Sequence, residues 1–138
     1  MLRTTIETDI VEQSKKWADE FGEEFLVELI DTYLADSPER LIQMRQALER
    51  DDFQTLIREA HTLTSSSANV GAMRLSSIAK GMEAAGYGGR IEEIVEAARK
   101  MEEEFVQVKS ALEIVRATPS SIYQSQQLGT ASPLKNGG

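Results

Sequence analysis

The feature that most limits the fold of this chain is an unbroken apolar repeat in residues 91–115. Apolar side chains recur there at spacings of three and four, which aligns them along one face of an α-helix. A heptad-like repeat of this kind packs at a shallow angle against neighbouring helices and therefore favours a helical bundle. The repeat consists of Ile91, Ile94, Ala98, Met101, Phe105, Val108, Leu112 and Val115.

Shorter apolar stripes predict further helices upstream. A short first helix is expected around residues 6–21, followed by stripes in residues 25–34, 53–63 and 75–82. In the segment DSPER, the serine is a natural N-cap and the proline suits a first helical position, so a separate helix is expected from there to about Leu48. No strand pattern is visible. We predict an all-α fold, an antiparallel four-helix bundle with an accessory N-terminal helix or helices.

The ends of these helices are marked by local signals. Asp51 or Asp52 is expected to cap the helix that begins near residue 53. Residues 69–71, Asn-Val-Gly, should end that helix, and the glycine-rich residues 86–89 should end the next one.

Composition divides the chain into three parts. We assign residues 1–19 to an N-terminal helical extension and residues 20–116 to the bundle. Residues 117–138 are rich in Ser, Gln, Gly and Pro, and we expect a flexible tail because such a sequence buries too little apolar surface to become ordered.

The overall composition excludes several classes of function. Without cysteine there are no disulfides and no thiol chemistry, and with a single histidine a structural zinc site is not expected. The net charge of −8 argues against nucleic-acid binding. No apolar run approaches the ~20 residues of a membrane span, and the first residues lack the apolar core of a secretion signal. We therefore expect a cytoplasmic protein that binds no metal, nucleic acid or membrane.

The only histidine, His61, lies in the segment EAHTLTSSSANVGA, residues 59–72. Helical geometry places His61 on the shoulder of the apolar face, with one ring edge towards water and small side chains at residues 64–68 beside it. A neutral imidazole has a free lone pair and is a known nucleophile for a phosphoryl group. A lone histidine on a helix shoulder is also often merely solvated, and its position alone does not decide between these interpretations.

The same segment resembles the histidine-containing phosphotransfer (HPt) domains of bacterial multistep phosphorelays. Their motif reads A-H-x-L-K-G-S-S-x-x-x-G, followed by a second helix with L-x-x-x-L-E, and residues 33–48 also look typical of the family. The similarity covers roughly residues 20–115. The matching residues are Ala60-His61-Thr62-Leu63, then Ser66 through Gly71, then Ile78 through Met82-Glu83.

The resemblance implies a phosphorelay intermediate. His61 would accept a phosphoryl group on its outer ring nitrogen from the aspartyl phosphate of a receiver domain, in a response regulator or hybrid histidine kinase, and pass it to another receiver. The receiver would provide the Mg²⁺ pocket, so the chain would bind no cofactor and have no kinase activity of its own. Because the histidine must be accessible to its partner, we expect a monomer.

Two positions depart from the family pattern. Thr64 and Ser65 replace the lysine and glycine that follow the family histidine. Arg58, one turn before His61, is a candidate source of the missing positive charge. The alternative is an HPt-like module that docks receivers with slow or no phosphotransfer. Either function predicts that the partner contacts Arg58, Thr64, Ser65, Ala68 and Asn69, and less strongly Arg74 and Lys80.

Overall fold

The structure, a computed structural model, describes the backbone of residues 2–117 and the side chains of residues 5–117. Within that part of the chain there are five α-helices and no strand, which confirms the all-α prediction. No helix in it is long and apolar enough to cross a membrane. The helices are α1 Leu2–Phe21, α2 Glu23–Glu49, α3 Phe53–Asn69, α4 Met73–Gly88 and α5 Ile91–Ala117.

Helices α2 to α5 form an antiparallel bundle, as predicted. The hydroxyls of Tyr33 on α2 and Ser67 on α3 are hydrogen-bonded at 2.8 Å, and burial raises the pKa of Tyr33 above its ordinary value. At the C-terminal end of α5, Arg116 Nε donates to Asp31 Oδ1 on α2 at 2.5 Å. Arg45, further along α2, pairs with Glu102, earlier on α5. Since the two helices run in opposite directions, these pairs connect them at two levels of the bundle.

The expected helix start at Ser37 and Pro38 is wrong, because α2 runs through both residues. Pro38 lacks an N–H, so the carbonyl of Leu34 loses its helical donor. The buried face of α2 nevertheless continues past this point from Tyr33 through Ser37 to Met44. The burial of this continuous face offsets one lost hydrogen bond, and Ser37 is buried in the bundle instead of capping a helix.

The first helix is longer than expected and belongs to the common core. Its residues Ile6, Ile10 and Ala18 join the buried cluster of the bundle. Helix α1 ends at Phe21, two residues beyond the boundary assigned to the N-terminal extension. The predicted tail after Ala117 lies outside the described residues.

The predicted helix ends around the histidine helix are confirmed. Asp52 caps α3 by accepting a hydrogen bond from the Thr55 N–H at 3.1 Å. Gly71 follows α3 with a φ of 84°, and Gly89 ends α4 with a φ of 65°. On α5 the apolar repeat is buried from Ile94 to Val115, except that Ala98 is half-buried, whereas Ile91 at the start of the helix is exposed.

Candidate functional site

His61 lies on α3 and is exposed, with 69% of its side chain open to solvent. Its neighbours Ala60 and Leu63 are fully buried in the core. The apolar face therefore fixes the rotation of α3 about its axis, and the imidazole is carried at the edge of that face. This is the shoulder position predicted from the sequence.

The second helix of the motif holds the imidazole in place. His61 Nδ1 lies 3.1 Å from Oε2 of Glu83 on α4. A carboxylate only accepts hydrogen bonds, so in the neutral ring the proton is on Nδ1 and the lone pair is on Nε2. Nδ1 is turned towards α4, and Nε2 is on the opposite side of the ring.

Helices α3 and α4 are packed closely beside this contact. Gly86 is buried one turn after Glu83, and a Cβ atom there would lie only 2.8 Å from Ile57 Cγ1. A glycine at this position therefore allows the close approach that brings Glu83 within hydrogen-bonding distance of His61.

An open hollow lies beside the imidazole. The small side chains of residues 64–68 favour open space on the C-terminal side of His61, whereas this hollow lies towards the N-terminal end of α3. Arg58 and Tyr87 contribute two exposed side chains to it. Its lining consists of Gln54, Ile57, Arg58, His61, Glu83 and Tyr87.

The hydroxyl groups that follow His61 are mostly occupied within the bundle. Thr64 Oγ1 donates to the Ala60 carbonyl at 2.9 Å, and the Thr64 carbonyl accepts from Ser76 Oγ at 2.6 Å. Ser67 is buried in its hydrogen bond with Tyr33. Ser65 is exposed at the surface beside His61. The side chain of Thr64 therefore offers a phosphate neither a charge nor a free donor.

The other predicted site residues differ in their distance from His61. Arg58 lies in the same hollow, with 66% of its side chain exposed and Nε 3.9 Å from Glu59 Oε2. Ala68 is half-buried. Asn69 is exposed two helical turns beyond His61, roughly 12 Å along the axis, where its carbonyl accepts a hydrogen bond from the Trp17 indole at 2.7 Å. Asn69 is thus at the margin of this surface.

Sequence reasoning left two residues out of the site, Glu83 and Tyr87. Glu83 had a usable signal, because it ends the second-helix motif of the family resemblance. Tyr87 follows Glu83 by four residues and so shares its helix face. Among the residues with described side chains, no group of three or more acidic or histidine side chains is arranged to hold a metal ion.

Comparison with known proteins shows the family of the chain. A model of the Hpt domain family matches residues 28–118. The chain belongs to the Hpt domain family. Its structure is similar to the crystal structure of histidine-containing phosphotransfer protein B (HptB) from Pseudomonas aeruginosa PAO1, with a TM-score of 0.73 and 28% sequence identity. That match covers 77% of this chain and 91% of HptB. None of the curated proteins matches the chain significantly.

HPt domains are phosphotransfer carriers that interact with receiver domains in phosphorelays. Helix α1 lies wholly before the residues matched by the family model, although it shares the core of the bundle. The family therefore accounts for α2 to α5 and for the position of the histidine helix.

Proposed function

We propose that His61 is the phosphoryl acceptor of a phosphorelay intermediate. The observation that carries the proposal is the pairing of an exposed imidazole with Glu83, which leaves the Nε2 lone pair pointing away from α4. Nε2 attacks the phosphorus of a receiver's aspartyl phosphate. An N–P bond forms while the P–O bond to the aspartate breaks and releases its carboxylate. Attack by the aspartate of a second receiver reverses these steps.

The partner supplies the remaining chemistry in this proposal. The receiver holds the Mg²⁺ that stabilises the transferring phosphoryl group, and this chain contributes neither a metal ion nor kinase activity. The receiver contacts the surface around His61. This surface is formed by Arg58, Thr64, Ser65 and Ala68, with Asn69 at its margin, and it includes Tyr87, which lines the hollow. We propose a cytoplasmic monomer, because His61 must be accessible to more than one receiver.

The test is phosphotransfer from purified receiver domains. Several receivers, including any encoded nearby, are phosphorylated and mixed with the protein and Mg²⁺. The expected label on this chain is acid-labile and base-stable, and it is absent in His61→Gln. If no receiver labels the wild-type protein, the proposed function is wrong.

A second candidate function is a receiver-docking module that transfers phosphate slowly or not at all. The observation that favours it is the hydrogen bond from Thr64 to Ala60, which turns this hydroxyl away from solvent. The discriminating variant is Thr64→Lys with Ser65→Gly. A large gain in transfer rate supports docking as the main function of the wild type. An unchanged and appreciable rate supports the carrier.

A further inference from the structure

A phosphoryl group on His61 would be stabilised by a nearby positive charge that residue 64 does not provide. The group carries up to two negative charges near neutral pH, and it would form beside the Glu83 carboxylate. Thr64 is neutral, and its hydroxyl donates to the Ala60 carbonyl. If the proposed function is correct, a cation from elsewhere in the chain that approaches Nε2 would stabilise this charge alongside the receiver's Mg²⁺.

Two contacts fix the register of α4 against α3 at this surface. Glu83 meets His61, and Ser76 Oγ donates to the Thr64 carbonyl at 2.6 Å. Lys80 comes four residues after Ser76 and three before Glu83, so it lies on the same face of α4 and between these two contacts. On α3, the corresponding interval is the single turn from His61 to Thr64. Lys80 therefore lies at a level between His61 and Thr64, the position where the family has lysine.

The rotation of α4 directs Lys80 to the surface. Ala79 and Met82 are fully buried on the core side of this helix. At about 100° per residue, Lys80 is roughly 60° further round α4 from the core side than Glu83 is, and it therefore projects towards solvent. Its flexible stem ends in an ammonium group with three donors. The exposed ammonium group is therefore on the same side of α4 as the contact with His61.

The neighbouring cations have other positions or partners. Arg74 is paired with the buried Glu104, Nε to Oε1 at 3.4 Å. Arg58 lies in the hollow, one turn from His61 in the direction away from Thr64. Lys80 is exposed and forms no ion pair with any side chain in residues 5–117.

We propose that Lys80, presented by α4 between the His61–Glu83 and Thr64–Ser76 contacts, is the phosphate-contacting cation that replaces the family lysine. This inference rests on the proposed function of His61. The Lys80 ammonium donates hydrogen bonds to the phosphoryl oxygens during transfer and in phosphohistidine. The Lys80 ammonium transfers no proton. The covalent bonds that form and break are therefore the N–P and P–O bonds described for His61.

The test measures single-turnover transfer from a phosphorylated receiver that labels the wild type, over a range of receiver concentrations. Lys80→Ala should lower the rate at saturating receiver ten- to a hundredfold, as expected for a lost charge-assisted hydrogen bond. Lys80→Arg should retain most of the rate. Thr64→Lys in the Lys80→Ala background should restore it, because the charge returns from α3. The matched control is Lys16→Ala, an exposed lysine on α1, which should leave the rate unchanged.

A second assay separates phosphate contact from receiver docking. Phosphoramidate transfers its phosphoryl group to histidine without a receiver and releases ammonia. Lys80→Ala should slow this labelling as well. A change only in the receiver concentration needed for half-saturation would make Lys80 a docking residue and overturn the inference. A labelled wild type with unchanged Lys80→Ala rates, or a loss seen only in Arg58→Ala, would also overturn it. An unlabelled wild type would overturn the function of His61 itself.

Discussion

At the scale of single residues, the contact with Glu83 determines which ring nitrogen of His61 is turned away from α4. The carboxylate accepts the Nδ1 proton at 3.1 Å and so keeps the lone pair on Nε2. In Glu83→Ala this tautomer is no longer favoured, and we expect transfer to slow about tenfold, for a loss of about 1.4 kcal/mol. Glu83→Gln keeps an acceptor oxygen and should stay within about threefold of wild type. The measurement is the initial rate of phosphohistidine formation.

The control for this prediction is Glu92→Ala, which removes an exposed carboxylate on α5. It should not alter the rate, because Glu92 does not line the hollow beside His61. A Glu83→Ala protein that is labelled as fast as wild type would contradict the orienting role of this side chain.

The position of His61 could be predicted from helical periodicity, whereas the only sequence signal for its partner Glu83 is the second-helix motif of the family. Periodicity along one helix determines which edge of the imidazole faces the core, since Ala60 and Leu63 must be buried. It contains no information about a residue on another helix. The contact with Glu83 depends on the register between α3 and α4, which the buried Gly86 and the bond from Ser76 to Thr64 help to set.

At the scale of elements, the turn between α3 and α4 connects the histidine helix to α1. Gly71 has a φ of 84°, and a Cβ atom there would lie 2.7 Å from the Asp9 carbonyl and 2.8 Å from Gln13 Cβ. Gly71→Ala should therefore lower the free energy of unfolding by about 2 kcal/mol or more, through backbone strain and displacement of α1. Urea denaturation measures the change.

Gly81 provides the opposite control for Gly71. It lies inside α4, and a Cβ atom there would meet nothing within 4 Å. Gly81→Ala should raise the free energy of unfolding by about 0.5–1 kcal/mol, because alanine loses less conformational entropy in a helix. Equal destabilisation by both substitutions would show that the contact with α1 is not what makes Gly71 sensitive.

The N-cap of α3 makes stability depend on acid pH. The hydrogen bond from the Thr55 hydroxyl lowers the pKa of Asp52 below its ordinary 3.8, and the hydrogen bond from the Thr55 N–H lowers it further by a smaller amount. The folded pKa is thus below the unfolded one, so the contribution of Asp52 is complete above the unfolded pKa and is lost as the pH falls through the folded value. We expect the urea midpoint to decrease between about pH 5 and pH 3.

The comparison variant for the pH dependence is Asp52→Asn. Asparagine also caps helices but does not titrate, so this protein should lose less stability over the same pH range. A decrease as steep as that of the wild type would assign the effect to other carboxylates. Asp31 is one of these, because its hydrogen bond with Arg116 also lowers its pKa.

At the scale of the whole molecule, the all-α class and most of the helix ends could be predicted from the sequence, but α2 was predicted as two separate helices. The sequence of Ser37 and Pro38 carries the local signal of a helix start, and the burial of one face of α2 on both sides of this point outweighs that signal. The apolar repeat of α5 was easier to interpret because no competing local signal interrupts it. Local chemistry therefore identified the ends of α3 and α4, whereas bundle packing determined the length of α2.

We expect the same packing to make α1 unfold together with the rest of the bundle. Ile10 is fully buried in the common core, so Ile10→Ala should lower the free energy of unfolding of the whole protein by about 2–5 kcal/mol. Val106→Ala, at a residue 63% exposed on α5, should change it by less than about 0.5 kcal/mol. Circular dichroism follows all the helices, and the single tryptophan, Trp17, reports on α1. Both signals should shift together in Ile10→Ala, whereas a shift confined to fluorescence would make α1 an independent appendage of the bundle.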